Sequence, residues 1–397
     1  MLLSHHLKRE LVNLPSYFVS KDASKVSIIT HKIGDNAFYM FDYLMKNERS
    51  YDVEFVLFQG DFRISNYHAI SEKFHDVYGK KPLLLKSKGG LMAYYKSKWV
   101  FTDVVVPTNK VVRNQIHVQL WHGYIGKRLG YMNPLQLDGT PLLKWSTSIF
   151  TTQSSLLALQ FIAQFRLDPS KFVITTSPRF DRVLSKKSKA KILLEQIGID
   201  TSFKYLLLAA PTFRRDNLNR ISVEKSVGVL KAYVSKKMQD FLKERDALLV
   251  LKPHPSLTPY LKNLELDSPN IAVLNNLDLY LNLSGITDIL PAFDVLITDY
   301  SSVFVDYLLL DRPVIFYVPD FDEVKDSLGY TVTFDVYIPG PKVRNPDGLV
   351  SAIDKALGSK TNGDTYRERR ECIKQVLFEK VYPRNNTEVL LRDIGFI

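Results

Sequence analysis

The chain has 397 residues, of which 45% are hydrophobic, so it can form an ordinary globular core and exceeds the usual size of one domain. A single cysteine, Cys372, excludes an intrachain disulfide and a cysteine-rich zinc site, and is typical of a reducing compartment. The formal net charge of +11 favours polyanionic partners such as anionic lipid or a phosphate polymer. We expect no nucleic-acid partner, because no recognised binding motif is present.

The N-terminal half contains alternating strand-like and helical runs. Leu7, Leu11 and Leu14 are spaced for one stripe of a short helix. A helix is then predicted over residues 36–46, and strands are predicted over residues 26–29, 53–58, 82–86, 99–106, 116–120, 149–152 and 172–176. Regular alternation of this kind is typical of a parallel sheet with crossover helices.

A lysine-rich segment after Asp181 interrupts this alternation and marks the expected boundary between two domains. A second series of strands follows, predicted over residues 205–209, 247–251, 271–274, 295–298 and 314–317, with a late helix over residues 364–377. The predicted fold class is therefore α/β. We expect an N-terminal domain over residues 1–195 and a C-terminal domain over residues 196–397.

Two features bear on membranes. No apolar run approaches the roughly 20 residues that span a bilayer, and the N-terminus lacks the pattern of a signal peptide. The lysines of residues 80–98 alternate with Tyr94, Tyr95 and Trp99. Basic and aromatic side chains together suit a lipid headgroup region, so we expect contact with an anionic membrane surface. The alternative is a solvated basic surface.

A candidate anion site lies in residues 293–304. The strand-like residues 295–297 break at Thr298 and Asp299, and a helical pattern follows Ser301 and Ser302. Amide hydrogens, hydroxyls and the positive end of a helix dipole converge at such a junction, at the carboxyl end of a parallel sheet. The alternative is that these side chains only cap the helix.

Two histidines each follow a predicted strand. His122 comes after residues 116–120, and His254 comes after residues 247–251. A histidine can act as a general base near neutral pH or donate a hydrogen bond to a leaving phosphate. A lone histidine is more often a surface or core residue, but two at equivalent positions beside an anion site favour a catalytic function.

Four blocks carry a resemblance to a known family: residues 121–130, 211–216, 252–255 and 294–302. Together they resemble the CDP-glycerol glycerophosphotransferases, the primases and polymerases of bacterial teichoic-acid and capsule polymers. Weaker similarity extends the match, in order, from about residue 25 to the C-terminus, through residues 34–36, 176–183 and 385–389. The chain departs from the family pattern at residues 124–127, in a segment that in the family faces the acceptor, and it lacks the family's glycine before Pro178.

The resemblance implies two Rossmann-like domains in a glycosyltransferase-B arrangement with an inter-domain cleft, the last helices crossing back to the first domain. It also implies attack by an acceptor hydroxyl on the β-phosphorus of a CDP-activated polyol, with release of CMP. The acceptor would be lipid-linked or polymeric, and the protein would be cytoplasmic and peripheral on the inner face of the cell membrane. His122 would be the base, His254 would contact the pyrophosphate, and the expected substrate-binding residues are Trp121, Gly123, Arg214, Arg215, Thr298, Asp299, Ser301, Ser302, Asp35 and Asn36.

Alternatives stay open. The donor can be CDP-ribitol, the reaction can be that of a glycosyltransferase-B sugar transferase or epimerase, and the chain can be a non-catalytic polymer- or lipid-binding protein. Asp320 and Asp322 have the Asp-x-Asp spacing of metal-dependent transferases, but an acidic loop explains them better. We expect no metal site and no cofactor in the protein, and a magnesium ion on the donor diphosphate is compatible with the sequence.

Overall fold

The computed structural model describes residues 11–58, 64–105, 112–124, 128–132, 146–215, 221–254, 257, 268–323, 334–362 and 364–397. These residues form two compact units. The first contains the chain up to Arg182 together with Tyr280–Thr287 and Val376–Ile397, and the second contains Val183–Leu279 and Asp288–Gln375. The chain therefore returns to the first unit twice. The domain boundary expected after residue 195 stays a prediction.

The strands of the first unit are β1 (Asp22–Thr30), β2 (Asp52–Leu57), β3 (Leu83–Leu84), β4 (Ser97–Thr102), β5 (Ile116–Gln119), β6 (Ile149–Thr152) and β7 (Phe172–Ile174). They form one sheet in the order β3-β2-β1-β4-β5-β6-β7, and every neighbouring pair is parallel. Each predicted strand of this half is present. The one expected over residues 99–106 ends at Thr102, and the one over residues 82–86 is only two residues long.

The strands of the second unit are β8 (Tyr205–Ala210), β9 (Arg214–Arg215), β10 (Ile221–Ser222), β11 (Ala247–Leu251), β12 (Ile271–Val273), β13 (Val295–Thr298), β14 (Val314–Tyr317) and β15 (Lys342–Val343). Six of them form a parallel sheet in the order β12-β11-β8-β13-β14-β15. β9 and β10 form a separate antiparallel pair. The order places the ends of β11, β8, β13 and β14 side by side.

The helices are α1 (Asn36–Asn47), α2 (Ile64–Tyr78), α3 (Lys88–Lys96), α4 (Ser155–Phe165), α5 (Phe180–Val183), α6 (Lys187–Gln196), α7 (Val223–Leu230), α8 (Lys236–Glu244), α9 (Asn276–Leu281), α10 (Ile286–Ile289), α11 (Val303–Tyr307), α12 (Phe334–Tyr337), α13 (Pro346–Asn362), α14 (Arg367–Leu377) and α15 (Asn386–Asp393). Short 3-10 helices occur at Leu14–Tyr17, Gly130–Met132, Pro169–Lys171, Lys231–Val234, Leu290–Ala292 and Leu308–Leu310. Strands and helices therefore alternate, as the sequence predicts for crossover connections.

Each sheet has its own apolar core. In the first unit, α1 and α2 pack on the sheet, with Phe38, Phe41 and Phe74 fully or almost fully buried, and the C-terminal Leu390 and Phe396 join the same core. The predicted short-helix residue Leu14 lies in a 3-10 helix and is 53% exposed, while Leu7 lies outside the described residues. In the described part of the chain, no helix is both long and apolar enough to cross a membrane.

The aromatic side chains expected at a membrane surface are not exposed. Tyr94 and Tyr95 are buried, and their hydroxyls donate hydrogen bonds to the side chain of Asn13 at 2.5 Å and to the carbonyl of Val12 at 2.8 Å. Trp99 packs against Phe396 with ring centroids 5.0 Å apart. The interpretation of these three rings as a membrane-contact surface is therefore wrong, because they hold the N-terminal and C-terminal segments to the first unit.

Candidate active site

Most of the expected site residues of the first unit lie at the carboxyl edge of its sheet. Residues 31–35 follow β1, Asp103 follows β4, residues 120–124 follow β5, and residues 175–179 follow β7. Because all these strands are parallel, their carboxyl ends lie on one edge, where α/β sheets bind ligands. Side chains from four separate segments of sequence therefore come together.

His122 is half-buried, and its ring is held on two sides. Its Nδ1 lies 2.5 Å from the backbone carbonyl oxygen of Asp103, and its ring stacks on that of Trp121 with centroids 4.9 Å apart. A carbonyl oxygen only accepts, so Nδ1 carries the proton and Nε2 is the basic nitrogen. Burial lowers the pKa of His122 to about 4, and the nearby Lys32 cation contributes in the same direction. The imidazole is therefore neutral at pH 7 and able to accept a proton.

Asp103, whose backbone carbonyl accepts from His122, is itself held by buried hydrogen bonds. Its side chain is fully buried and accepts hydrogen bonds from the Thr30 hydroxyl at 2.7 Å and from the Ala37 amide at 3.1 Å. Burial, together with the neighbouring Asp35 carboxylate, raises the pKa of Asp103. Asp103 thus ties β4, β1 and the start of α1 together and presents its carbonyl to His122.

Asp35 is the centre of a charged cluster beside His122. Its carboxylate lies 2.5 Å from Lys32 Nζ and 3.4 Å from Arg179 Nη1, and it also caps α1 by accepting from the Asn36 amide at 2.8 Å. Burial acts to raise the pKa of Asp35, but Lys32 and Arg179 lower it overall. Arg179 Nη1 also donates to the His122 carbonyl at 2.9 Å. Arg179 therefore connects the carboxylate to the histidine segment.

Two other expected residues of this edge, Asn36 and Trp121, have structural contacts, and a third is Gly123. The side-chain amide nitrogen of Asn36 donates to the Trp121 carbonyl at 2.8 Å, and its side-chain oxygen accepts from the Ser177 hydroxyl at 2.7 Å. Asn36 therefore joins three of the edge segments. Trp121 is 8% exposed and packs on Phe161, with a positive φ of 53° that turns the chain before His122. Among the described residues, a Cβ on Gly123 would make only an ordinary contact, at 3.8 Å.

The second unit holds a buried network around Asp299. This carboxylate accepts from the Thr212 amide at 3.0 Å, from Arg214 Nη1 at 2.6 Å and from the Tyr300 amide at 2.6 Å. The Arg214 guanidinium is also ion-paired with Asp320, and the side chains of Arg214 and Asp299 are 3% and 0% exposed. Burial opposes the charge of Arg214, but the two carboxylates raise its pKa.

Asp320 is thus a partner of Arg214, and it also accepts from the Tyr300 hydroxyl at 3.2 Å. Asp322 is exposed and pairs with Arg344 at 2.7 Å. The two aspartates of the Asp-x-Asp pattern therefore form different ion pairs. Among the described residues, no group of three or more histidine, cysteine or acidic side chains is placed to hold a metal ion.

The hydroxyl residues after β13 differ in their contacts. Thr298 is fully buried, and its hydroxyl donates to the Ala210 carbonyl of β8 at 3.0 Å. Ser301 and Ser302 are half-buried at the start of α11, where the Ser301 hydroxyl accepts from the Val303 amide at 3.4 Å and Ser302 makes no side-chain cap hydrogen bond. Thr298 therefore joins two strands, while the two serines stand nearer the surface.

His254 is exposed at the end of β11, next to the end of β8. Its ring contacts that of Phe213 with centroids 4.5 Å apart. Lys252, two residues earlier, is half-buried and donates to the Asn276 side chain at 2.5 Å. His254 therefore follows β11, whereas Asp299, Ser301 and Ser302 follow β13, and β8 lies between these two strands at the same edge of the sheet.

Sequence reasoning missed several residues of these clusters, namely Lys32, Asp103, Arg179, Thr212 and, as a partner of Arg214, Asp320. Each lies one to five residues after a strand of a parallel sheet, and that position was the available signal. The side chain of Arg215, and residues 125–127, 216 and 255 of the family-like segments, lie outside the described residues. Their expected roles stay predictions.

A family model described as CDP-glycerol:poly(glycerophosphate) glycerophosphotransferase matches residues 14–392. The teichoic acid poly(glycerol phosphate) polymerase of Bacillus spizizenii is 26% identical over 86% of this chain and 86% of that protein. The teichoic acid ribitol-phosphate primase of the same species is 27% identical over 64% of each, slightly under two thirds of its length.

A solved structure of the wall teichoic acid polymerase TagF, with one histidine replaced by asparagine and soaked with CDPG, has a TM-score of 0.74 at 19% identity. The match covers 98% of this chain and 92% of that chain. At this identity the likeness shows a common fold, and it confirms the expected α/β class with two Rossmann-like units of the glycosyltransferase-B type. The chain belongs to the CDP-glycerol:poly(glycerophosphate) glycerophosphotransferase family and is an enzyme of the glycerophosphotransferase type.

Proposed function

We propose that the enzyme transfers glycerol phosphate from CDP-glycerol to a hydroxyl of a membrane-linked acceptor in teichoic-acid or capsule polymer synthesis, releasing CMP. The relatives named for poly(glycerol phosphate) polymerisation support this donor, and the family match spans nearly all of the chain. The single observation that best supports the chemistry is the hydrogen bond from His122 Nδ1 to the Asp103 carbonyl, which leaves Nε2 as the basic nitrogen.

In the proposed reaction the acceptor oxygen forms a bond to the β-phosphorus while the bond from that phosphorus to the CMP oxygen breaks. The acceptor proton moves to His122 Nε2 and is later released to solvent, and CMP leaves with the electron pair of the broken bond. A base with a pKa near 4 is weak. An anionic phosphate bound next to the ring would raise that pKa and increase its basicity.

On the donor side we assign His254 to the pyrophosphate, where it would donate a hydrogen bond to the departing phosphate. Ser301 and Ser302, which are half-exposed, would hold phosphate oxygens by their hydroxyls and the nearby amides. Arg214 makes its contacts with two carboxylates, so we propose that it fixes the loops after β8 and β14 instead of binding phosphate directly. Asp299 and Thr298 would support the same edge.

The test is CMP release by the purified protein from CDP-glycerol or CDP-ribitol, with and without a lipid-linked acceptor. We expect acceptor-dependent release from CDP-glycerol. If CMP were released from CDP-ribitol and not from CDP-glycerol, the donor would instead be CDP-ribitol, as the name of the ribitol-phosphate primase relative suggests. Formation of a glycosidic bond or an epimer would overturn the proposed reaction class.

We also propose that the first unit contacts an anionic membrane on the cytoplasmic side, through a surface made of Leu11, Leu14 and Phe18 with the lysines of α3. These apolar side chains are 54%, 53% and 82% exposed. The 3-10 helix Leu14–Tyr17 packs on α3, whose Lys88 and Lys96 are exposed. Apolar burial and attraction of lysines to anionic lipid would act together.

Co-sedimentation with vesicles containing anionic lipid tests this surface. The double variant Leu14→Ser with Phe18→Ser should bind at least about 10-fold more weakly, because each buried apolar side chain contributes roughly 1.5–3 kcal/mol. Leu159→Ser is the matched control, since Leu159 is 64% exposed on α4 of the same unit. Equal binding by the double variant and the wild type would exclude this surface.

A further inference from the structure

Residues 280–287 come from the later half of the chain but belong to the first unit. Within this segment Gly285 is in direct backbone contact with Gly34, in the turn after β1. A Cβ built on Gly34 would lie 2.3 Å from the Gly285 Cα, and a Cβ on Gly285 would lie 2.1 Å from the Gly34 carbonyl oxygen. Real side chains do not tolerate such distances, so both positions require glycine. Gly34 also has a φ of +77°.

Further contacts hold the segment in place. The Thr287 and Tyr39 hydroxyls lie 2.8 Å apart, and both side chains are buried. Tyr280, Leu281 and Leu283 pack against the apolar core of the first unit. The segment is therefore fixed to α1 on one side of Gly285 and to the core on the other.

The turn that Gly285 contacts carries Lys32 and Asp35. Lys32 Nζ is 2.5 Å from the Asp35 carboxylate, which reaches the His122 carbonyl through Arg179. A movement of Gly34 would displace both charged groups, because they lie within two residues of it. The distance between these charges and the His122 ring then depends on the contact with Gly285.

We infer that Gly285 and Thr287 are positioning residues, which fix the 31–35 turn so that its charges lie correctly beside His122. This inference rests on the proposed function of His122 as the base. The titratable groups that act on the imidazole are His31 and Lys32 of the turn and Asp35 at the start of α1, while Asp103 after β4 contacts it through its backbone carbonyl. Arg179 and Tyr280 lie on the elements packed against the turn and act on Asp35 and Lys32.

The expected change has a definite sign. Lys32 lowers the pKa of His122 more than Asp35 raises it, so moving both charges away should raise that pKa toward the ordinary value near 6.5. The acid limb of the rate profile should move to higher pH in the same direction. A purely structural defect would reduce the amount of active enzyme without moving either quantity.

The test is Gly285→Ala, measured by kcat, by KM for CDP-glycerol and by an NMR titration of the His122 ring, assigned with His122→Gln. We expect kcat to fall about 10- to 100-fold, KM to change less than about twofold, and the His122 titration to move to higher pH. Gly228→Ala is the matched control, because a Cβ there meets nothing within 4 Å. An unchanged His122 titration in a folded Gly285→Ala variant would overturn the inference.

If Gly285→Ala does not fold, Thr287→Val tests the inference instead, because it removes the hydroxyl that contacts Tyr39 with little change in side-chain shape. It should move the His122 titration in the same direction by a smaller amount, and Thr287→Ser should restore the wild-type value. No movement in Thr287→Val would overturn the inference. The NMR titration needs no turnover, so a wild type that releases no CMP would reject the proposed function without deciding the positioning by Gly285.

Discussion

The carboxyl edges of the two sheets use the same residue types in different ways. His122 is half-buried, with Nδ1 bonded to a carbonyl and its ring stacked on Trp121. His254 is exposed and has an edge contact with Phe213. Both follow a buried parallel strand. A position just after a parallel strand therefore predicts that a histidine lies at the carboxyl edge of the sheet. The tautomer and the pKa of that histidine depend on the neighbouring residues that the fold brings to it.

The carboxylates differ in a corresponding way. At the first edge Asp35 is paired with Lys32 and Arg179, and Arg179 connects it to the histidine segment. At the second edge Asp299 and Asp320 share Arg214, and the described contacts of these three side chains do not include His254. The first cluster can therefore tune a base, whereas the second mainly holds loops in place.

The largest expected effect is that of His122→Ala on turnover. Loss of a general base should reduce kcat by about 10²- to 10⁴-fold, while the Kd for CDP-glycerol should stay within about twofold of the wild-type value. Single-turnover CMP release and calorimetric donor binding measure the two quantities. Wild-type turnover in His122→Ala would show that the first edge does not supply the base.

The second effect concerns stability. Asp299→Ala should lower the free energy of unfolding by about 3–5 kcal/mol, because it leaves a buried arginine with one carboxylate fewer. Urea denaturation measures the change. Asp322→Ala is the control, since its ion pair with Arg344 is exposed and should contribute no more than about 1 kcal/mol. Equal effects of the two substitutions would contradict a supporting function for the Asp299 network.

His254→Ala should have a smaller effect, on binding. Loss of a hydrogen bond to a charged phosphate, about 1.5–3 kcal/mol, should weaken CDP-glycerol binding roughly 10- to 100-fold. The free energy of unfolding should change by less than about 0.5 kcal/mol, because the side chain is exposed. Unchanged donor affinity would remove His254 from the donor site.

The smallest expected effect is that of pH on the wild type. The neutral imidazole of His122 is the active form, so kcat/KM should fall only as pH approaches its lowered pKa of about 4. Between pH 6 and 8 protonation of this group should change kcat/KM by less than about twofold. An acid limb with its midpoint near 6.5 would show that His122 is less buried, or farther from Lys32, than the structure indicates.

Much of the fold was predictable because buried parallel strands are short apolar runs that can be recognised locally, as in β8, β11 and β13. The two histidines and the Ser301–Ser302 pair were found by the same signal. Long-range partners were not predictable. Asp181, for example, caps α15 through the Asn386 and Thr387 amides at 2.8 and 2.9 Å, so two separate family-like segments form one structural contact.

The sequence by itself determined the alternation of strands and helices, the family, and the residue types that reach the two sheet edges, because these follow from local patterns and ordered motifs. Only the tertiary structure decided that Arg214 is neutralised by Asp299 and Asp320, that Tyr94 and Tyr95 are internal, and that Gly285 contacts Gly34. These depend on burial and on distances between residues far apart in the chain, which set pKa values and steric limits that no local pattern contains.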